Sequence, residues 1–210
     1  MPSPRRPLPR AVAVLAVLAA ALLAVPAGRA AAQAAATTVA GTSGARAHDV
    51  DRAHSEINFV AASRLLDAHG HFARWSADVQ LDPEQLERSR VAITIDAASI
   101  DTRVERRDTH LRSADFLDVA RHPTITFVSK AITRTSPTAG VIAGELTMRG
   151  VTRPVEVPVT LVFYENGRGR FRGQFTVRRG EYGVSYSSRM NPIDDEVQVQ
   201  FNLSVMERKG

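Results

Sequence analysis

No cysteine occurs in the 210 residues. That excludes disulfide staples, thiolate metal ligands and the lipid-modified cysteine of an exported lipoprotein. Sequence signatures of catalysis are missing as well. There is no Gly-x-Ser-x-Gly elbow, no His-Glu-x-x-His pair, no phosphate-binding loop and no dinucleotide fingerprint. No segment repeats another. The formal charge of +5 is largely a property of the N-terminus, because residues 1–32 hold four arginines and no acid. Without them 23 basic residues face 22 acidic ones, which gives no electrostatic reason to invoke nucleic acid.

What is present begins with an address. Arg5, Arg6 and Arg10 precede an apolar run over 11–25 that Pro26 and Gly28 close, and small residues follow with cleavage choices after Ala30 or Ala32. This is the pattern of a secretory signal peptide over 1–32, and the run is shorter than the ~20 residues of a spanning helix. The expected destination is the periplasm or the extracellular space. Residues 33–48 are Ala, Thr, Gly and Ser with little to pack, and read as a flexible linker. One domain is expected over 49–207, long enough for a single core.

Within that domain the dominant signal has period two. Val197, Val199, Phe201, Leu203 and Val205 alternate with Gln198, Gln200, Asn202 and Ser204. Such alternation puts one face on an apolar interior and the other in water. Val91, Ile93 and Ile95 repeat it, as do Ile125 and Phe127. Val155, Val157, Val159, Leu161 and Phe163 form another face, and Phe171, Phe175 and Val177 the next. With 57–63, 72–81 and 141–148 the count reaches about eight strands, separated by Ser136-Pro137, Arg149-Gly150, Asn166-Gly167 and Asn191-Pro192. Asp82-Pro83-Glu84 begins one short helix, with Asp as its cap. The segment 103–113 is a second, since Val104, Asp108 and Leu111 return at helical spacing. Single-faced antiparallel strands make a sandwich or a barrel. Ten residues rise ~33 Å, a length that favours the barrel, and eight strands enclose either a packed core or one ligand.

Several elements recur in a fixed order. Ser55-x-Ile57-x-Phe59 opens, and His69-Gly70-His71-Phe72 follows. Ser99-Ile100-Asp101-Thr102 leads to Arg107-Asp108-x-His110-Leu111-Arg112-Ser113-x-Asp115-Phe116. His122-Pro123-Thr124-Ile125-Thr126-Phe127 comes next, then Gly144-Glu145-Leu146-Thr147 with Gly150-Val151-Thr152. Arg179 with Tyr182-Gly183 and Asp195-Glu196-Val197 complete the set. In this order and spacing the chain resembles the YceI-like proteins, secreted lipocalin-like barrels that hold isoprenoid lipids. It departs from them at Ser63, where the family often has histidine, and at His122, where an aromatic residue usually precedes proline.

The resemblance implies an all-β fold, an eight-stranded antiparallel lipocalin-like barrel with one or two short helices, and a cavity for an isoprenoid or quinone-like amphiphile. Inward candidates are Phe59, Phe72, Trp75, Ile93, Ile95, Phe127, Leu146, Phe163, Phe175 and Phe201. Each serves equally as ordinary core, because a packed interior has the same sequence. Phe72 and Trp75 differ in parity, so both face inward only across a bulge. Arg107, Asp108 and His110 either meet a polar head group at the mouth or form a network that fixes the connection to the barrel. His69 and His71 share a strand face, a weak metal signal, and neither a metal nor a cofactor is expected. The expected function is non-catalytic lipid binding. The alternatives are a solid barrel serving a membrane redox partner and a small enzyme using Asp108 and His110. Peripheral membrane contact and a homodimer are compatible with these readings.

Overall fold

A computed structural model describes residues 44–209, so the signal sequence expected at 1–32 and most of the linker expected at 33–48 lie outside the described residues. The strands are β1 Arg46–Val50, β2 Glu56–Ser63, β3 Ala68–Phe72, β4 Trp75–Leu81, β5 Arg90–Asp96 and β6 Ile100–Asp101. After helix α1, Glu105–Arg112, come β7 Thr124–Ser136, β8 Ala139–Met148, β9 Val151–Glu165, β10 Arg168–Arg178 and β11 Ile193–Glu207.

The first six strands are three long ones, each interrupted once. A 3-10 turn at Arg52–His54 divides β1 from β2, Ala73-Arg74 divides β3 from β4, and a turn at Ala97–Ser99 divides β5 from β6. Counted this way there are eight strands, each paired with the next, and β11 returns to bond both β1 and β2. The described residues form a closed eight-stranded antiparallel barrel with one α-helix, the lipocalin-like architecture expected.

Local chemistry accounts for the turns. Asn166 and Gly167 adopt φ of 51° and 75° between β9 and β10, and Arg149 and Gly150 adopt 51° and 74° between β8 and β9. Two consecutive positive φ values match the twist of the flanking strands. Asp82 caps as expected, its Oδ1 accepting from Glu84 N at 3.1 Å and Gln85 N at 2.9 Å. Only a 3-10 turn at Leu86–Arg88 follows, in place of a helix. The segment 103–113 does contain α1.

The linker boundary moves. Arg46, Ala47 and His48 belong to β1, paired on one side with β4 and on the other with β11. Both neighbours would otherwise present unpaired backbone edges. Phe72 and Trp75 both face inward because the strand breaks between them, where Ser99 accepts from Ala73 N at 3.1 Å through its carbonyl and from Arg74 N at 3.0 Å through its hydroxyl.

The two barrel ends differ. Around α1 the ladder opens: β6 bonds only β3 among the described residues, and the β9–β10 ladder stops at Val159–Gly173, just before Pro158. A proline nitrogen has no hydrogen to continue it. Residues 97–123 and 179–192 fold over this end. Buried side chains gather in two groups. One surrounds Trp75, Val79, Val91, Leu203 and Val205, and the other surrounds Phe59, Ile100, Leu117, Ile125 and Tyr182 near α1.

Candidate ligand cavity

A cavity of about 610 Å³ occupies the interior and is lined by members of both groups. The reason it is hollow lies in three aromatic rings. A Cβ placed on Gly70 would meet the Phe59 ring at 2.3 Å, on Gly144 the Phe127 ring at 2.6 Å, and on Gly173 the Phe201 ring at 2.4 Å. The outer edge of each ring therefore lies against a glycine of the adjacent strand. The space it vacates along the barrel axis stays open.

Phe59, Phe72, Trp75, Ile93, Ile95, Phe127, Leu146, Phe175 and Phe201 all line this cavity, Phe72 and Trp75 by virtue of the break between β3 and β4. Phe163 does not. A register shift aligns Arg170 with Phe163 but Phe171 with Leu161, leaving Val162 as an extra residue on β9. That bulge inverts the face beyond it. Phe163 is 43% exposed on the outside, and Tyr164 takes its place in the lining.

Tyr164 crosses the end remote from α1. Its hydroxyl lies 2.9 Å from His48 Nε2, and its ring occupies the space that Gly169 leaves free. Burial, aided by the charge of Glu207, pushes the phenol pKa above its usual value.

At the α1 end Arg107 and His110 line the cavity, whereas Asp108 turns away. Asp108 is buried, and its Oδ1 accepts from the Thr102 backbone N–H at 2.9 Å and from the Thr102 hydroxyl. Arg107 donates from Nε to the Thr102 hydroxyl at 2.7 Å and from Nη2 to the Thr102 carbonyl at 2.9 Å. The cluster thus divides: Asp108 anchors the helix, and Arg107 is anchored at the cavity wall. His110 Nε2 is 2.9 Å from Asp115 Oδ2, and its ring stands edge-on to Phe116 and Tyr186 at 4.9 and 4.8 Å.

Arginines hold the loops of this mouth by donating to backbone carbonyls. Arg179 reaches four of them, on Val184, Tyr186, Ile193 and Asp194, at 2.8–3.0 Å. Arg112 donates to Ala98 and Ile100 at 2.9 Å each, and Arg149 to Ala114 at 2.8 Å. Charge-assisted bonds of this kind satisfy carbonyls that no ladder reaches. Tyr164, Tyr186 and Phe116 are lining residues absent from the sequence expectation. Phe116 lay in a quoted motif, Tyr164 was displaced by the bulge, and Tyr186 sits in a loop without periodicity. His69 and His71 remain on β3, and among the described residues no three His, Asp or Glu gather to hold a metal ion.

A hollow apolar barrel with a looped, helix-covered mouth defines a lipocalin-like fold. Residues 48–205 match the YceI-like domain, and the chain belongs to that family. A UPF0312 protein of Ectopseudomonas mendocina (strain ymp) is 29% identical over 156 residues, 71% of this chain and 81% of that one. The crystal structure of Burkholderia cenocepacia BcnA shares 30% identity with a TM-score of 0.70, over 74% of this chain and 99% of that one. A polyisoprenoid binding domain from Saccharophagus degradans, implicated in plant cell wall breakdown, shares the fold at 15% identity and a TM-score of 0.61, covering 78% of this chain and 99% of its own.

Proposed function

We propose that this chain is exported by the signal sequence at 1–32 and carries or buffers an isoprenoid amphiphile, polyprenyl or quinone-like, without chemistry of its own. The observation that carries the reading is the hollow interior of about 610 Å³, lined by aliphatic and aromatic side chains from every strand of the barrel. Each methylene transferred from water into such a space contributes ~0.8 kcal/mol, so a few prenyl units suffice to drive entry. The family supports a binding fold, and a structural relative is described as a polyisoprenoid binding domain. On this reading Arg107, His110 and Tyr186, which line the cavity at the mouth, meet the polar head group. The hollow interior favours this over a solid interaction module.

Native mass spectrometry of protein exported by a bacterial host, followed by organic extraction, tests the proposal. The expected result is one prenyl lipid per chain, and the same spectrum reads whether the chain is single or paired. A protein that emerges empty and stays empty with added quinones and polyprenols would overturn it.

A further inference from the structure

Leu65, Leu66 and Met190 are 66%, 77% and 83% exposed, while the other exposed large apolar side chains lie between 42% and 48%. The three stand on two loops that the backbone joins. Leu65 N–H donates to Asn191 Oδ1 at 3.0 Å, and Arg64 N–H donates to the Pro192 carbonyl at 3.1 Å. The same loops border the cavity, which Leu66, Ser188, Asn191 and Ile193 help to line. Arg64 and Arg189 flank the apolar tips, both exposed, and among the described residues neither has an ion-pair partner. Asp67 offsets one of these charges.

We propose that these paired loops dock the barrel on an anionic bilayer surface and present its mouth to the lipid phase. This rests on the lipid-carrier reading, which it supplies with a loading step. A prenyl chain dissolves poorly in water, so a carrier gains from a mouth rim that displaces headgroups. Stable protein partners bury about 800 Å² on each side, far more than three loop-tip side chains offer. A bilayer accepts so narrow a wedge. The guanidinium groups of Arg64 and Arg189 reach phosphates while their stems stay apolar. With a local balance of one positive charge, insertion of the apolar tips dominates. Anchorage of this size is reversible, as it is for a single acyl chain, and a carrier must also leave.

The test uses the full chain, exported and processed, with vesicles of phosphatidylcholine alone or mixed with phosphatidylglycerol. Sedimentation measures binding, and transfer of a fluorescent polyprenol between vesicles measures loading. Two variants are compared: Leu65→Ser with Met190→Ser, and Arg64→Gln with Arg189→Gln. All four positions are exposed, and unfolding midpoints confirm that both variants fold. The serine variant is expected to lose vesicle affinity by roughly tenfold or more and to slow transfer in parallel, while still filling with polyprenol offered in dilute solution. The glutamine variant is expected to lose its preference for phosphatidylglycerol. Vesicle binding unchanged in the serine variant, or absent in the parent protein, would overturn the docking proposal. A parent that binds vesicles but never takes up polyprenol would overturn the carrier reading and leave the docking surface standing.

Discussion

His48 and Tyr164 lie 116 positions apart in sequence, yet the imidazole Nε2 meets the phenol oxygen at 2.9 Å. The direction of that bond follows from the other ring nitrogen. His48 Nδ1 is 2.8 Å from the Arg46 carbonyl, which only accepts. In the neutral ring the hydrogen therefore sits on Nδ1, and Tyr164 donates to Nε2. The pair ties β1 to β9 across the barrel end.

Tyr164→Phe removes the donor and leaves Nε2 buried without a partner. The expected loss is about 1–3 kcal/mol, read from the urea unfolding midpoint. An unchanged midpoint would mean that the bond contributes nothing to closure of that end.

Gly173→Ala tests why the barrel is hollow. Its Cβ would fall 2.4 Å from the Phe201 ring and 2.5 Å from the Pro158 carbonyl, so the ring must swing toward the axis. Overpacking of this kind costs ~1–3 kcal/mol. A crystal structure of the variant should show a smaller cavity, and lipid capacity should fall with it. A ring that stays in place would refute the explanation.

Asp108→Ala removes the acceptor of two hydrogen bonds that buried Thr102 donates, and loosens the residue to which Arg107 is bonded. Hydrogen bonds to a charged group are worth about 1.5–3 kcal/mol, so the variant should be destabilised by roughly that amount. Faster amide exchange confined to α1 and residues 97–104 would locate the loss. Arg107→Ala should weaken lipid binding more than it weakens the fold.

Acid should weaken the mouth. The hydrogen bond from Arg121 holds the Asp118 carboxyl below its usual range against the opposing effect of burial, and Arg74 does the same for Asp96. Each folded value lies beneath the unfolded one of about 3.9. Their stabilisation is complete above that pH and disappears as pH falls through the folded values. Unfolding midpoints followed downward from pH 6 should drop below about pH 4. Asp118→Asn should shallow that drop, and an identical acid limb would remove Asp118 from the account.

Much of the fold was legible because its evidence is local. The alternation from Val197 to Val205 fixes a face without knowledge of any neighbour, and Asn166-Gly167 specifies its own hairpin. Phe163 and Tyr164 show where such reasoning ends: the bulge at Val162 arises from pairing with β10, and one extra residue exchanges the inside for the outside. Strand β1 was hidden because Arg46-Ala47-His48 has no apolar alternation and gains its structure from β4 and β11. The cavity was illegible for a related reason. Phe127 reads as core filling until Gly144 is known to lie beneath its ring, and that contact depends on the register between strands. Asp108 and Arg107, two neighbours in one motif, took different tasks because a helix turns them to different sides.

Strand β1 pairs with β11, His48 opposite Glu207 and Val50 opposite Val205, and Arg46–Glu207 and Arg208–Asp49 ion pairs run along the same seam. The first strand thus waits for the last. At about 5–20 residues per second, a ribosome needs roughly ten to thirty seconds to make the chain between them. For that whole interval no closed barrel exists, and β1 and β2 offer an open edge to any passing strand. A polypeptide so built stays threadable until its end emerges, a property that the proposed export would use.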